Sequence, residues 1–424
     1  MTDVVATNET ILVVGGGVSG MTTALEAAEA GKQVILVEKR AYVGGRITQL
    51  YKYFPKLCFP TCGLEINQRR AKMNPNITIL TMSEVETLTG EEGNYTATVK
   101  ISPRYVNDKC TACGACGEAI ESEFDDEHNY GMSKHKGAYL PHRMALPERY
   151  VIDPAMIGTD DAEKAKAACP VGAIDLDMAE ETVELKIGAV VYATGWRPYD
   201  ANKIQPYGYD RYPNVITSVE FERMNDPNGP TGGKILRPSD GAEAKDIAFI
   251  QCAGSRDRNH LKHCSRICCM ASLKQTTYAS AVDAKSTIYY IDIRAIDRFE
   301  DFYKNVQADE NVSFIKSKVA NITLGENDNP TLQGVDTEGY NRYATEHELV
   351  VLAVGMEPSI DVSTLPGDVS VNEHGYIEND GTNGGIFAAG CASDALDVNR
   401  AVQSATACAL KAIQVVNRVA GSEG

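Results

Sequence analysis

The 424-residue sequence predicts an α/β fold with two Rossmann-type domains and a cysteine-rich module inserted into the first of them. Three observations lead to this prediction. A glycine-rich turn joins a strand to a helix near the N-terminus, three closely spaced cysteines follow at 110–116, and a second strand–helix–strand pattern begins near residue 247. Both strand–helix–strand patterns contain the short, continuous apolar runs that are typical of buried parallel strands.

The composition is that of an ordinary globular protein, and it excludes several functions. A formal charge of −17 argues against a nucleic-acid partner and against unaided binding to anionic lipid. No run approaches the ~18 uninterrupted apolar residues of a spanning helix, so direct membrane insertion is not expected. The N-terminus carries Asp3 and Glu9 and no basic region, which argues against a secretory signal. In the reducing cytoplasm, the 12 cysteines are better explained as metal ligands or redox groups than as disulfides.

The first strand–helix–strand unit carries a dinucleotide-binding fingerprint. Predicted strands at 11–14 and 34–37 flank a predicted helix at 21–30. The glycines in G-x-G-x-x-G spacing are Gly15, Gly17 and Gly20. Such glycines allow the tight turn, the approach of a pyrophosphate and the close packing of helix on strand. Glu38 ends the second strand, where a carboxylate suits ribose hydroxyls and would repel a 2′-phosphate.

Three later segments indicate that the dinucleotide is FAD. VGGR (43–46) resembles the two-dinucleotide-binding-domain flavoproteins, and residues 188–198 and 384–394 resemble the strand–Gly segments that close their FAD domain. A single NAD site would leave both later segments without a role. The predicted FAD-binding residues are Gly15, Gly17, Val18, Ser19, Gly20, Glu38, Lys39, Gly45, Arg46, Val85, Ala193, Thr194, Gly195, Gly390 and Cys391.

The inserted module contains the ligands of one iron–sulfur cluster. In two-cluster bacterial ferredoxins, the fourth cysteine of each C-x2-C-x2-C-x3-C-P motif binds the other cluster. By that rule, the cysteines present here are the full ligand set of one [4Fe-4S] cluster, and the other set is lost. The predicted ligands are Cys110, Cys113, Cys116 and Cys169, and the lost positions are Ile120, Thr159, Ala162 and Ala165. A structural zinc is the alternative, although zinc ribbons use paired C-x2-C motifs.

In the second Rossmann-type unit, cysteines replace the expected glycine motif. A predicted strand at 247–250 precedes QCAGSRDRNHLKHCSRICC, and a strand at 288–293 follows. Cys268 and Cys269 lie about 100° apart around a helix, so we expect a cluster at a helix end, with Cys252 supplied by the preceding turn. The predicted ligands are Cys252, Cys264, Cys268 and Cys269, and the basic residues that would offset their charge are Arg256, Arg258, Lys262 and Arg266. Buried small thiols are the alternative.

Together these motifs resemble HdrA, the flavin subunit of heterodisulfide reductases. The resemblance rests on the segments 229–241, FIQCAGSRD at 249–257, HCSRICCMASLKQ at 263–275 and 385–393. It implies a thioredoxin-reductase-like fold with a degenerate ferredoxin insert, and a noncanonical [4Fe-4S] cluster at the second cysteine set, near the flavin. It also implies that Lys274 approaches the flavin N5, where a cation favours the reduced, anionic flavin. Without the resemblance, a solvated helix lysine would be the default interpretation.

Two departures narrow the resemblance. HdrA carries extra iron–sulfur domains at its ends and two clusters in its insert, whereas this sequence stops at Gly424 with one. Such a short form is similar to QmoA, a flavoprotein of the quinone-interacting membrane-bound oxidoreductase (Qmo) complexes of sulfate-reducing bacteria. That similarity implies electron transfer between menaquinol and adenylylsulfate (APS) reductase. It also implies two partners, a second HdrA-like flavoprotein and a haem-bearing membrane protein, and hence attachment to the inner face of the cytoplasmic membrane.

The predicted function is therefore that of an oxidoreductase subunit in which FAD and two [4Fe-4S] clusters relay electrons. The alternatives are an HdrA-type heterodisulfide reductase or electron-bifurcating subunit, an NAD(P)H-dependent flavin disulfide reductase and a non-catalytic scaffold. The missing second glycine motif disfavours NAD(P)H. The predicted segments are 1–100, 186–240 and 349–424 for the FAD domain, 101–185 for the insert and 241–348 for the second Rossmann-like domain.

Cys58 and Cys62 occupy the region where flavin disulfide reductases carry a C-x4-C redox pair. The spacing here is one residue shorter, and Pro60 disfavours a regular helix. A redox dithiol, metal ligation and inert thiols all remain open for this pair.

Overall fold

The computed structural model describes residues 4–361, 364–379 and 381–422. These residues form two large parallel sheets, several small antiparallel sheets and eight α-helices. The strands are β1 (Ile11–Val14), β2 (Val34–Glu38), β3 (Ile77–Thr81), β4 (Ser83–Glu91), β5 (Asn94–Ile101), β6 (Glu123–Asp125), β7 (Lys134–Lys136), β8 (Ala138–Tyr139), β9 (Val151–Ile152), β10 (Glu181–Ile187), β11 (Ala189–Tyr192), β12 (Trp196–Pro198), β13 (Val215–Thr217), β14 (Asp246–Ala253), β15 (Lys285–Tyr290), β16 (Val312–Lys316), β17 (Asn321–Leu324), β18 (Pro330–Asp336), β19 (Asn341–Glu346), β20 (Leu349–Val354), β21 (Met356–Pro358) and β22 (Ile386–Ala388). The helices are α1 (Val18–Glu29), α2 (Pro60–Met73), α3 (Ala115–Glu118), α4 (Asp160–Ala168), α5 (Ser218–Met224), α6 (Cys268–Ser280), α7 (Glu300–Gln307) and α8 (Val398–Ser422).

The first sheet is parallel and has the strand order β22-β11-β1-β2-β3. Side chains alternate across it, because successive residues of a strand face opposite sides. Ile11 and Val13 pack in one core with α1 and α8, whereas Leu12 packs in a second core with the antiparallel sheet β10-β5-β4. The central strand is thus buried on both faces, as its continuous apolar run predicts.

The second sheet is also parallel and has the order β13-β20-β14-β15-β16. The predicted segment 241–348 supplies three of its five strands, whereas β13 and β20 lie on either side of that segment. The strand predicted at 288–293 begins earlier and ends at Tyr290. Two Rossmann-type sheets in one α/β chain confirm the predicted fold class.

The cysteine-rich module leaves the first domain at the end of β5 and returns along β10. These two strands pair antiparallel, with Ile101 opposite Glu181, so residues 102–180 emerge from one end of a single small sheet. The module has its own small core, which includes Val106, Ile152 and Met156. It is therefore a folded unit inserted into the first domain.

A two-stranded antiparallel ribbon of β12 and β21 joins the two Rossmann-type domains, and Trp196 lies opposite Pro358 in it. Both strands of the ribbon follow directly from central strands of the two large sheets, β11 and β20. None of the helices in the described ranges has the length and apolar character needed to cross a bilayer.

Candidate functional site

A cavity of about 970 Å³ opens at the carboxyl ends of the first sheet and extends to helix α6 of the second domain. This edge of a doubly wound sheet is where such folds bind their ligands. Thirteen of the fifteen residues predicted to bind FAD line it, and they are Gly15, Gly17, Val18, Ser19, Glu38, Lys39, Gly45, Arg46, Val85, Ala193, Thr194, Gly195 and Cys391. The structure thus brings together residues that are up to 376 positions apart.

Gly20 and Gly390 do not line the cavity, because their role is in packing. A Cβ atom on Gly20 would lie 1.8 Å from the Gly15 carbonyl oxygen, and one on Gly390 would lie 2.0 Å from Ser19 Oγ. A Cβ atom on Gly17, by contrast, would be 3.8 Å from its nearest neighbour, the Gly45 Cα. Gly17 therefore leaves an open approach to the backbone, which is what a pyrophosphate requires.

The polar groups of this wall suit an anionic dinucleotide. The N-terminal ends of α1 and α8 both contribute to the cavity, and helix N-termini favour negative charge. Glu38 accepts hydrogen bonds from the backbone N–H groups of Gly16 (2.6 Å) and Arg40 (2.8 Å), and burial raises the pKa of its carboxyl group. Thr194 Oγ1 is buried without a hydrogen-bond partner. The wall thus offers both a phosphate cradle and polar atoms left for a ligand, and these residues fit FAD.

Arg46 connects the cavity to the inserted module. Its Nε donates to the Trp196 carbonyl oxygen at 2.5 Å, and its guanidinium lies 4.8 Å from the centre of the Trp196 ring. Its Nη1 donates to the hydroxyl of Tyr130, a residue of the insert, at 3.0 Å. Burial lowers the pKa of Arg46, with smaller contributions from its neighbours. A buried cation on the cavity wall is therefore held from both the ribbon and the insert.

Lys274 lies on α6 and lines the far end of the cavity, where its side chain is only 4% exposed. Its Nζ donates to Glu222 Oε1 at 2.6 Å and to the Lys52 carbonyl oxygen at 2.7 Å. Burial lowers the pKa of Lys274, and the charge of Glu222 opposes that effect. Lys274 is thus a buried, paired lysine rather than the solvated one that the helix position alone would suggest.

Sequence reasoning missed Glu222, the partner of this lysine. Its carboxylate also accepts from the Tyr51 N–H (3.0 Å), the Tyr278 hydroxyl (3.1 Å) and Gln275 Nε2 (3.0 Å). Glu222 comes from α5, 52 positions before Lys274, and no local motif marks it. The hub therefore joins α5, α6 and the loop after the first domain's glycine-rich segment.

The first cysteine set converges in the insert. Cys110, Cys113, Cys116 and Cys169 line one small pocket. Two backbone N–H groups already point at sulfur, from Ala112 to Cys110 Sγ (3.4 Å) and from Ala173 to Cys169 Sγ (3.2 Å). Burial, with smaller effects of Cys110 and Cys169, raises the pKa of Cys116 to about 11. Cluster binding would relieve that cost, because iron ligation removes the thiol protons.

The positions of the lost ligand set are filled by apolar packing. Ile120, Ala162 and Ala165 are 3%, 0% and 0% exposed and belong to the core of the insert. Thr159 caps α4, where its Oγ1 accepts from the Ala162 N–H at 3.3 Å. The space of a second cluster is thus occupied by side chains, which agrees with the prediction of one cluster in this module.

The second cysteine set lies at the N-terminus of α6. Cys268 and Cys269 are its first two residues, Cys252 lies near the end of β14 with a φ of 56°, and Cys264 is in the loop between them. Burial raises the pKa of Cys252, Cys268 and Cys269, to about 11 for Cys269, and the neighbouring thiols raise it further. The structure therefore brings the four cysteines together at a helix end.

The arrangement of both sets suits a cluster better than a single ion. Within the described ranges, no three His, Cys, Asp or Glu side chains are arranged as a single metal ion requires. In a cubane each thiolate binds a different iron, so the four sulfurs surround a cluster rather than a point. This geometry weighs against the zinc alternative, and the cysteine-only donor sets fit [4Fe-4S] clusters.

The remaining cysteines divide between the cavity and the core. Cys58 lines the cavity and is exposed, and Cys62 is exposed in the first turn of α2. That helix begins at Pro60, so the expectation that this proline would prevent a regular helix is wrong. Proline is tolerated there because the first N–H of a helix has no intrahelical partner. Cys391 lines the cavity, and its Sγ donates to the Leu396 carbonyl oxygen at 3.3 Å.

Comparison with known proteins assigns the chain to a family. Residues 10–146 match the FAD dependent oxidoreductase family. The chain is 36% identical over 423 residues to the HdrA subunit of the ferredoxin/F(420)H(2)-dependent CoB-CoM heterodisulfide reductase of Methanosarcina acetivorans, and the match covers 96% of this chain and 53% of that protein. The chain belongs to the HdrA family of FAD-dependent oxidoreductases. The second HdrA iron-sulfur subunit of the CoB–CoM heterodisulfide reductase of Methanopyrus kandleri is a further relative, with 37% identity over 417 residues, covering 95% of this chain and 63% of that protein.

The chain thus spans between about half and two thirds of the length of these HdrA relatives. Solved structures with a similar fold include thioredoxin reductases. That of T. acidophilum gives a TM-score of 0.51 at 14% identity, covering 96% of this chain and 98% of its own. That of Lactococcus lactis gives 0.52 at 14%, covering 97% and 99%. At this identity the likeness shows the fold alone, and it confirms the thioredoxin-reductase-like class of this HdrA homologue.

Proposed function

We propose that the chain is an HdrA-type electron-transfer subunit in which FAD in the large cavity exchanges electrons with two [4Fe-4S] clusters. One observation carries this proposal. Helix α6 bears Cys268 and Cys269 at its first turn, and Ala271 and Lys274 of the same helix line the cavity. A cluster held at the first turn would therefore be next to the end of the cavity that Lys274 marks.

The residues around this junction have separate roles in the proposal. FAD, when bound, supplies two-electron chemistry, whereas each cluster carries single electrons. Lys274 places a buried positive charge on the cavity wall, and Glu222 holds its ammonium group in one position. The N-terminus of α8 adds a further positive potential along the wall. Both features stabilise negative charge on a bound group.

The second domain supports electron relay over NAD(P)H oxidation. A nucleotide-binding Rossmann unit needs glycines in the turn after its first strand, so that the backbone can approach a pyrophosphate. In the corresponding turn here, Cys252 has a buried thiol, and 14 residues separate Ala253 from the start of α6. We therefore assign this place to a cluster, and the NAD(P)H-dependent reductase becomes the less favoured hypothesis.

Two physiological roles follow from this assignment. The HdrA relatives are named as subunits of CoB–CoM heterodisulfide reductases, and the sequence similarity favours an HdrA-type role with flavin and iron–sulfur partner subunits. The second candidate is the Qmo-type role, from menaquinol to APS reductase, in which a second HdrA-like flavoprotein and a haem-bearing membrane protein hold the chain at the cytoplasmic face of the membrane. The apolar packing at Ile120, Ala162 and Ala165 favours it, because it leaves one cluster in the insert.

The direct test is a cofactor count on the anaerobically purified chain. We expect one FAD, and about eight iron and eight sulfide atoms, because each cubane holds about four of each. Stopped-flow mixing with NADH or NADPH is expected to leave the flavin oxidised. Flavin-free protein, or flavin bleaching by either nucleotide at catalytic rates, would contradict the proposal. With partner subunits added, reduction of APS reductase as against CoB–CoM heterodisulfide distinguishes the two roles.

A further inference from the structure

We propose that Arg256, held in place by Asp292, raises the reduction potential of the cluster at Cys252, Cys264, Cys268 and Cys269. This inference rests on the proposed function, because it requires a cluster at that position. Arg256 would act as a positioning and tuning residue, since it contacts a ligand rather than the cluster itself.

The contacts of Arg256 are specific. Its Nη1 is 3.9 Å from Cys252 Sγ, within the range of a hydrogen bond to sulfur, and 2.5 Å from Asp292 Oδ1. Its Nη2 is 3.3 Å from Asp292 Oδ2, so the two side chains form a two-pronged pair. The backbone carbonyl of Asp292 in turn accepts from Cys269 Sγ at 3.7 Å. One residue after β15 thus contacts two members of the cysteine set, one directly and one through Arg256.

The position of Asp292 relates this pair to the Rossmann fold. In the first domain, Glu38 ends the second strand of the unit and accepts from the Gly16 N–H in the turn after the first strand. In the second domain, β14 and β15 are the corresponding parallel strands, and Asp292 follows β15 by two residues. It accepts instead from the side chain of Arg256, in the loop after β14. The acid that would bind a ribose in a nucleotide site here orients a cation toward a thiol.

The electrostatic consequence has a definite sign. Reduction adds one electron, and therefore one negative charge, to a cluster and its thiolates, and it breaks no bond. A cation beside Cys252 stabilises the reduced state more than the oxidised state. The Arg256 side chain is 23% exposed and that of Asp292 is 46% exposed, so solvent screens the carboxylate more than the guanidinium. The pair as a whole therefore favours the reduced cluster.

The test is a potentiometric titration of the full, cofactor-loaded chain, with EPR signals of both clusters read at electrode-set potentials. We expect R256Q to raise the oxidised-to-reduced ratio of the second cluster about tenfold at a fixed potential, equivalent to 59 mV for one electron. R256K keeps the charge and should recover part of the shift. Arg258, which is exposed, provides the matched control, and R258Q is expected to change the ratio less than twofold. The cluster of the insert serves as the internal reference and should not move.

D292N tests the role of Asp292 through the sign of its effect. Loss of a nearby negative charge alone would raise the potential, whereas release of Arg256 from its position would lower it, and we expect it to fall. A rise would refute the positioning role of Asp292. An unmoved potential in R256Q with full iron content would overturn the inference and leave the proposed function intact. If R256Q fails to load the second cluster, R256K and D292N decide the question. Only four iron atoms in the wild-type chain would instead refute the proposed function itself.

Discussion

Replacement of Glu222 by glutamine is the sharpest test of the buried hub at the end of the cavity. The side chains of Lys274 and Glu222 are 4% and 3% exposed, and their charged atoms are 2.6 Å apart. E222Q keeps the shape of the side chain but leaves an uncompensated buried ammonium group. Breaking a buried pair in this way costs about 3–5 kcal/mol of unfolding free energy. The double variant E222Q/K274M removes both charges and should cost less than the sum of the single variants.

The measurement is urea unfolding followed by the fluorescence of Trp196, the one tryptophan of the chain. A matched control is the surface pair of Lys316 and Glu338, 3.2 Å apart and 43% and 64% exposed, for which E338Q should cost less than about 1 kcal/mol. If E222Q costs no more than E338Q, or if the double variant is fully additive, the interpretation of Glu222 as the partner of a buried charge is refuted.

The same variant makes a prediction about pH. Burial holds the pKa of Lys274 below its usual value of 10.5, and Glu222 is the group that opposes this shift. E222Q should therefore lower the pKa of Lys274 further. A lysine whose folded-state pKa is depressed gains stability as pH rises from the folded-state value to the unfolded-state value. The stability deficit of E222Q should therefore shrink between pH 7 and pH 9, and a growing deficit would contradict this assignment.

Two further substitutions separate binding from packing and assign the clusters. G17A should leave the fold intact but reduce bound flavin, measured by absorbance, whereas G20A should also destabilise the flavin-free chain by about 1–3 kcal/mol because its Cβ meets a carbonyl oxygen. Retention of flavin by G17A would contradict the phosphate cradle. C169S should lower iron content by about four atoms per chain, whereas C408S, at a buried cysteine of the FAD domain core, should not. Equal iron in both variants would remove the cluster from the insert.

Much of the cavity was predictable because local patterns specify it. The glycines at 15, 17 and 20 and the acid at 38 belong to one strand–helix–strand unit, whose spacing alone places them on one wall. The two cysteine sets were predictable for a similar reason, since ligand spacing is a local property. Whether these residues bind FAD and two clusters remains a prediction for the cofactor count.

The partners of these groups were not predictable, because they come from distant elements. Glu222 meets Lys274 only when α5 packs near α6, and Asp292 meets Arg256 only through the pairing of β14 with β15. Neither acid has a sequence signature of its own. The expectation for Pro60 was wrong because a proline disrupts a helix interior but is accepted at the first position.

The ribbon of β12 and β21 would by itself let the two Rossmann-type domains turn relative to each other, since only three residue pairs join its strands. The carboxylate of Glu222 acts as a latch against such a turn. It is anchored in the second domain, yet it accepts hydrogen bonds from Tyr51 and Lys52 of the first. A rotation would strip these donors from a buried anion, so the two halves should move as one rigid body. The gap across which an electron must tunnel is then set during folding and stays constant through every turnover.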